Sequence, residues 1–111
     1  MSVFRLEAAP NTKVDSRYIE SVDLTITNIG SESFEMLIHG YKPEGVFHVG
    51  LIHVPVGAAI SIPGLVTQYS PFSLLLVSNY HTFHTTGIAA HVKDQGAVVA
   101  VFTQDDFTRM H

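Results

Sequence analysis

Ser21-Val22-Asp23-Leu24-Thr25-Ile26-Thr27-Asn28-Ile29-Gly30-Ser31 is the stretch that decides the fold. Val22, Leu24 and Ile26 face one way, and Asp23, Thr25 and Thr27 face the other, the period-two pattern of a half-buried strand. Asn28 to Ser31 reads as a turn, because Asn and Gly accept backbone conformations that other residues resist. Short apolar alternations of this kind, separated by Gly, Pro and Asn, continue to about Gln104 with little charge between them.

Downstream, Phe34, Met36 and Ile38 alternate with Glu35, Leu37 and His39, which predicts a second strand, and Tyr41 to Gly45 is a loop. Val46 to Val54 is apolar on both sides, with Val46, Ile52 and Val54 on one and Phe47, Val49 and Leu51 on the other. Such a strand is either central or covered by a partner, so Phe47, Val49 and Leu51 form a candidate interface. Pro55-Val56-Gly57 turns the chain, and Ala58, Ile60 and Ile62 begin a short strand closed by Pro63-Gly64. A polar-aromatic loop runs from Val66 to Pro71. Phe72 to Val77, with Leu74, Leu75 and Leu76 in sequence, is short and lies between Pro71 and Ser78-Asn79, which favours a buried strand over a helix. Tyr80 to Thr86 is a strand edge or loop. Gly87 to Val92 and Ala97 to Thr103 form a hairpin around Lys93-Asp94-Gln95-Gly96, and the tail Asp105 to His111 is polar.

About eight strands at this spacing predict an all-β fold, an antiparallel β-sandwich of jelly-roll or immunoglobulin-like type. Ahead of it, Val3, Phe4 and Leu6 are apolar, Pro10 and Asn11 break the run, and Thr12 to Ser16 are polar. Residues 1–16 are thus expected as an extended N-terminal arm and linker, and residues 17–111 as the sandwich domain. The arm either pairs as an edge strand of its own domain or reaches another copy.

At 111 residues the chain is one domain, long enough to bury a core without staples. Charged residues make up only 14% of it, so its surface is unusually neutral, as in subunits whose surface is covered by partners. The basic residues Arg5, Lys13, Arg17, Lys42, Lys93 and Arg109 are scattered, which argues against a nucleic-acid partner. No apolar run is long enough to predict membrane insertion, and the start lacks the pattern of a signal peptide, which predicts synthesis in the cytoplasm. Cysteine is absent, so disulfides and thiolate metal sites are excluded.

Seven histidines are the evident chemical candidates: His39, His48, His53, His81, His84, His91 and His111. His81 and His84, like His48 and His53, have odd spacings that point to opposite faces of a regular strand, so no metal site is expected from either pair alone. Full protonation would move the formal net charge from -4 to +3 (-4 + 7), which would make an assembly with histidines at its contacts acid-sensitive. No local motif joins Ser and His to a carboxylate, Asp105-Asp106 reads as a solvated end, and the glycines form no phosphate cradle. No catalytic residue and no cofactor are therefore expected. Tyr80, His81, Phe83 and His84 form a candidate ligand loop, since aromatic and imidazole rings there could line a groove.

The strand and turn Val22 to Ser31, followed by Ile52-His53-Val54-Pro55-Val56-Gly57-Ala58-Ala59-Ile60-Ser61-Ile62 and preceded by a short arm, resembles the jelly-roll subunits of bacterial endospore appendage fibres. The resemblance implies an arm that docks into a neighbouring subunit, here Ser2, Val3, Phe4, Arg5 and Leu6, with Pro10 to Ser16 as spacer. It also implies lateral strand pairing between copies and a spore or cell surface as the destination. Those subunits usually carry cysteines for cross-links, and this chain has none, so the fibre it implies is non-covalent. The Asn-x-Gly turn, the Val-Pro element and Val98-Val99-Ala100-Val101-Phe102 are also similar to the small sensory-rhodopsin transducer proteins, a family of cytosolic tetrameric binding modules.

Three functions stand open on this reading. The first is a non-catalytic structural subunit whose partner is itself, assembling through strand pairing and the N-terminal arm into a fibre or large homo-oligomer. The second is a soluble homo-oligomeric binding module for a small ligand or protein. The third is a His-dependent metalloenzyme.

Overall fold

The structure, a computed structural model, describes residues 1–110; His111 lies outside the described residues. Among the described residues there are nine strands: β1 (Ser2–Ala8), β2 (Ser21–Asn28), β3 (Phe34–Lys42), β4 (Gly45–Val54), β5 (Ala59–Val66), β6 (Phe72–Ser78), β7 (Thr86–Asp94), β8 (Ala97–Thr103) and β9 (Thr108–Met110). They build two antiparallel sheets, of order β4-β3-β6-β1-β9 and β5-β2-β7-β8, packed as a sandwich. Single 3-10 turns occur at Ser16–Tyr18 and Gln104–Asp106.

The predicted alternation becomes the core. Val22, Leu24 and Ile26 of β2 point inward with Ile88, Ala90 and Val92 of β7 beside them, and they meet Met36, Ile38, Leu74 and Leu76 of the other sheet. Both inner faces must be apolar, because burial of these side chains is the main favourable term in folding. Asn28 ends this stretch and is itself buried. Its side chain accepts from the Gly30 amide at 2.9 Å and donates to the carbonyls of Glu32 at 2.8 Å and Val54 at 3.1 Å. The turn after β2 is thereby tied to the end of β4, and every polar atom of the amide has a partner. At the β7–β8 hairpin, Gln95 and Gly96 both have positive φ (53° and 81°), the two-residue turn whose twist suits paired strands.

Several expectations need correction. Residues 2–8 are not a separate arm: β1 lies inside the five-stranded sheet, between β6 and β9, with Ser2, Phe4, Leu6 and Ala8 buried. Its alternation suits a strand with one face on a core, and the core had room for it. The polar spacer closes over the sandwich side, anchored by buried Val14 and Ser16. The tail is not a simple polar end, since Thr108–Met110 pairs with β1. Pro63-Gly64 does not close the fifth strand, which runs on to Val66. A proline is tolerated there because β5 is an edge strand, and the register shift opposite Val22 and Leu24 absorbs it.

β4 is an edge strand, not a central one. Its faces also differ from the simple alternation. A bulge opposite Gly40 and Tyr41 inserts Phe47 as an extra residue, so Phe47 turns toward the core while Val49 and Leu51 point outward. A one-residue bulge exchanges the faces of everything beyond it.

Candidate functional site

A sandwich of two open sheets has four edges, and each edge carries unpaired main-chain donors and acceptors. Two of the four are blunted here. β5 carries Pro63 and its bulge, and the Gly64 amide is already bonded to the Asp23 carboxylate at 2.8 Å. β9 is only three residues long and carries Arg109. The other two are more open. β4 runs for ten residues and β8 for seven; each has one bulge, at Phe47 and at Val99, but neither contains Pro, Lys, Arg, Asp or Glu.

The open edges lie at opposite flanks. β4 sits across the sandwich from β5 and touches it, whereas β8 continues through the Gln104–Asp106 turn into β9. Each flank therefore presents one open and one blunted edge, and the open edges belong to different sheets. Val98, Val99 and Val101 on β8 and Val46, Val49 and Leu51 on β4 are all about half exposed or more.

The outer face of the four-stranded sheet is mixed: its two central strands carry Ser21, Asp23, Thr25, Thr27, Gly87, Ala89, His91 and Lys93, with Asp23 and Lys93 paired at 2.6 Å, and its edge strands add the exposed Val66, Val98 and Val101. Lys93 and the Gly64 amide hold the Asp23 carboxyl below its ordinary range. On the five-stranded sheet, register aligns Leu51, Leu37, Val77, Val3 and Met110 in one row that crosses all five strands. The next row holds Val49, His39, Leu75, Arg5 and Thr108. His39 Nδ1 lies 2.6 Å from the Tyr41 hydroxyl, His53 Nδ1 lies 2.8 Å from Glu35, and Arg5 pairs with Glu7.

The residues singled out from sequence fall in three places. Ser2, Phe4 and Leu6 are core, while Val3 and Arg5 stand on this outer face. Val49 and Leu51 stand on it too, and Phe47 does not. Tyr80, His81, Phe83 and His84 lie in the loop between β6 and β7, where Tyr80, His81 and His84 are exposed. Phe83 packs edge-on against Phe4, with ring centroids 5.2 Å apart, and the Arg109 guanidinium lies over it at 5.3 Å. The loop is pinned from beneath: the buried Thr82 donates its amide to Ser2 Oγ at 2.7 Å, and its hydroxyl lies 2.9 Å from Ser78 Oγ. This loop is a plug on the sandwich end more than a groove; the depression beside it measures about 120 Å³.

Among the described residues the histidines do not converge. His39 and His53 stand on the outer face of the five-stranded sheet, His91 on that of the other, and His81 and His84 in the loop. Among the described residues, no three His, Asp or Glu side chains are grouped so as to hold a metal ion.

A larger cleft, about 380 Å³, opens between the spacer and β8, lined by Lys13, Tyr18, Ile19, Val99, Ala100 and Phe102 among others. Asp15 nearby takes bonds from the Arg17 side chain at 2.7 and 3.0 Å and from two backbone amides, which holds its pKa down at about 2. Tyr69 donates to Asp94 at 2.5 Å, and the carboxylate beside it pushes the phenol up to about 12. Both are surface bonds that fasten loops, at Asn11–Arg17 and Gln68–Ser70.

No family model, no curated protein and no solved structure matches this chain. Its function has to be argued from these surfaces.

The apolar row was missed in the sequence because its members are scattered over five strands. Leu37 between Glu35 and His39, and Leu75 inside Leu74-Leu75-Leu76, were its visible signals: each is an apolar residue at an outward position.

Proposed function

We propose that this chain is a non-catalytic structural subunit that assembles with copies of itself, by strand pairing, into a fibre or large homo-oligomer. The observation that carries this reading is the pair of long edge strands free of charge and proline, β4 and β8, at opposite flanks of one sandwich. Strand addition to an open edge uses main-chain hydrogen bonds for affinity and alternate side chains for specificity. A contact between unlike edges at opposite flanks does not close on itself, and a non-closing contact makes a filament. β1 is engaged within its own sheet, so the edges take over the role that the sequence assigned to an arm.

Edge lysines test this, because a charged side chain on an edge blocks strand addition. Full-length protein is compared by sedimentation velocity and negative-stain microscopy with Val99→Lys/Val101→Lys on β8 and with Val46→Lys on β4. Large species in the parent and their loss in either variant support the reading. A parent that stays small at all concentrations refutes it, and so do variants that sediment like the parent.

The cleft beside Tyr18, Ile19 and Phe102 favours a second reading, a homo-oligomeric binding module for a small, partly apolar ligand. In that case a hydrophobic fluorescent probe binds saturably, and Ala100→Phe abolishes its binding.

A further inference from the structure

The outer face of the five-stranded sheet is a different surface from the edges, and a sheet face left to water is ordinarily polar. Here the row Leu51, Leu37, Val77, Val3 and Met110 is apolar in every strand, and Val49 and Leu75 extend it by one row. We infer that this face is covered by the same face of a second copy of the chain, as an isologous, sheet-on-sheet contact lateral to the strand-pairing edges.

Area and charge both select a second copy. From the Glu35 row to the Tyr41 row, with five strands about 4.8 Å apart and residues about 3.4 Å apart, the face covers on the order of 500 Å². Two such faces would bury about 1,000 Å², where specific interfaces begin. The chain carries a net charge of -4, so a self-contact favours a surface with little unbalanced charge, and this face has little. Arg5 is paired with Glu7, which leaves Glu35, hydrogen-bonded to the His53 ring, as the one formal charge in these rows not matched by a Lys or Arg. A self-contact requires that a surface tolerate its own charges, and here Glu35 and Glu7 lie in the two outermost rows, while Arg5, beside the apolar row, is bonded to Glu7. Inside the molecule, sheets already pack face to face in the same way.

The inference rests on the self-assembly reading, but its test separates the two. Sedimentation velocity is run over a wide concentration range on Val99→Lys/Val101→Lys, in which edge pairing is blocked. The expected mass is twice that of the chain. Adding Leu37→Lys/Val77→Lys at the centre of the face is expected to halve it. Leu37→Thr/Val77→Thr is run in parallel as a milder change, with circular dichroism and cooperative unfolding to establish the folded state, and is expected to weaken the dimer at least tenfold. If the edge-blocked protein is already one chain at the highest concentration, the inference fails. It fails equally if folded face variants keep the doubled mass. A parent that stops at two chains, and divides on the face substitutions, overturns the fibre and leaves the face contact standing.

Discussion

The ring of Phe47 occupies the space that a side chain at position 40 would need: a Cβ on Gly40 would come within 2.7 Å of Phe47 Cζ. The bulge that turns Phe47 inward and the glycine opposite it are thus two halves of one device. Together they let an edge strand put an aromatic ring, with the Lys42 ammonium 5.2 Å from its centre, over the end of the core.

Gly40→Ala is therefore expected to cost about 1–3 kcal/mol, as over-packing of a filled site does. Phe47→Ala made in the same chain should remove the clash, so the two changes together should cost less than their sum by at least about 0.5 kcal/mol. Urea unfolding of the two single variants and the double variant measures this. Strict additivity would show that the ring swings aside freely.

Ser2 Oγ accepts the buried Thr82 amide at 2.7 Å and so joins the first strand to the β6–β7 loop. Ser2→Ala leaves that amide without its partner, at an expected cost of about 1–3 kcal/mol. Amide hydrogen exchange at Thr82 should accelerate more than at Leu76, which is held by the sheet ladder. Equal acceleration at both sites would mean the bond does not fasten the loop.

Asp15 has a pKa near 2, depressed from its ordinary 3.8, chiefly by its bond from the Arg17 side chain. A depressed carboxylate contributes stability in full above its unfolded value, and that contribution is lost as pH falls through the folded value. Asp15→Asn is expected to show a smaller drop in urea midpoint between pH 5 and pH 2 than the parent does. Parallel profiles would remove Asp15 from the acid response.

Tyr69 runs the other way. Its phenol is pushed up to about 12 by the bond to Asp94, so the associated stability is present below the ordinary value of 10.0 and lost as pH rises through 12. In an absorbance titration of phenolate, the difference between parent and Tyr69→Phe should appear near pH 12. Asp94→Asn should move it back toward 10.

Much of the sandwich was legible in single strands. Val22, Leu24 and Ile26 announced an inward face, Gln95-Gly96 announced a hairpin, and both stand as read, because strand alternation and turn chemistry are local properties. Phe47 was misread because a bulge depends on its partner: only the pairing with β3 shows that one residue is extra. Ser2 to Leu6 read as an arm that pairs at an edge of its own domain or reaches another copy, because alternation does not say which sheet a strand enters. Loop closure between ends some seventy residues apart costs entropy that no local pattern records.

What the amino-acid sequence determined alone is the class of fold: period-two burial, interrupted by turn residues, leaves a chain with little charge no compact arrangement except packed sheets. What only the tertiary structure decided is which surfaces remain open. Strand order made β4 and β8 edges and left β1 between two neighbours. Register then placed Leu51, Leu37, Val77, Val3 and Met110 side by side. Residues from distant parts of the chain become one surface only when backbone hydrogen bonds align their strands, and that alignment is a property of the whole sheet.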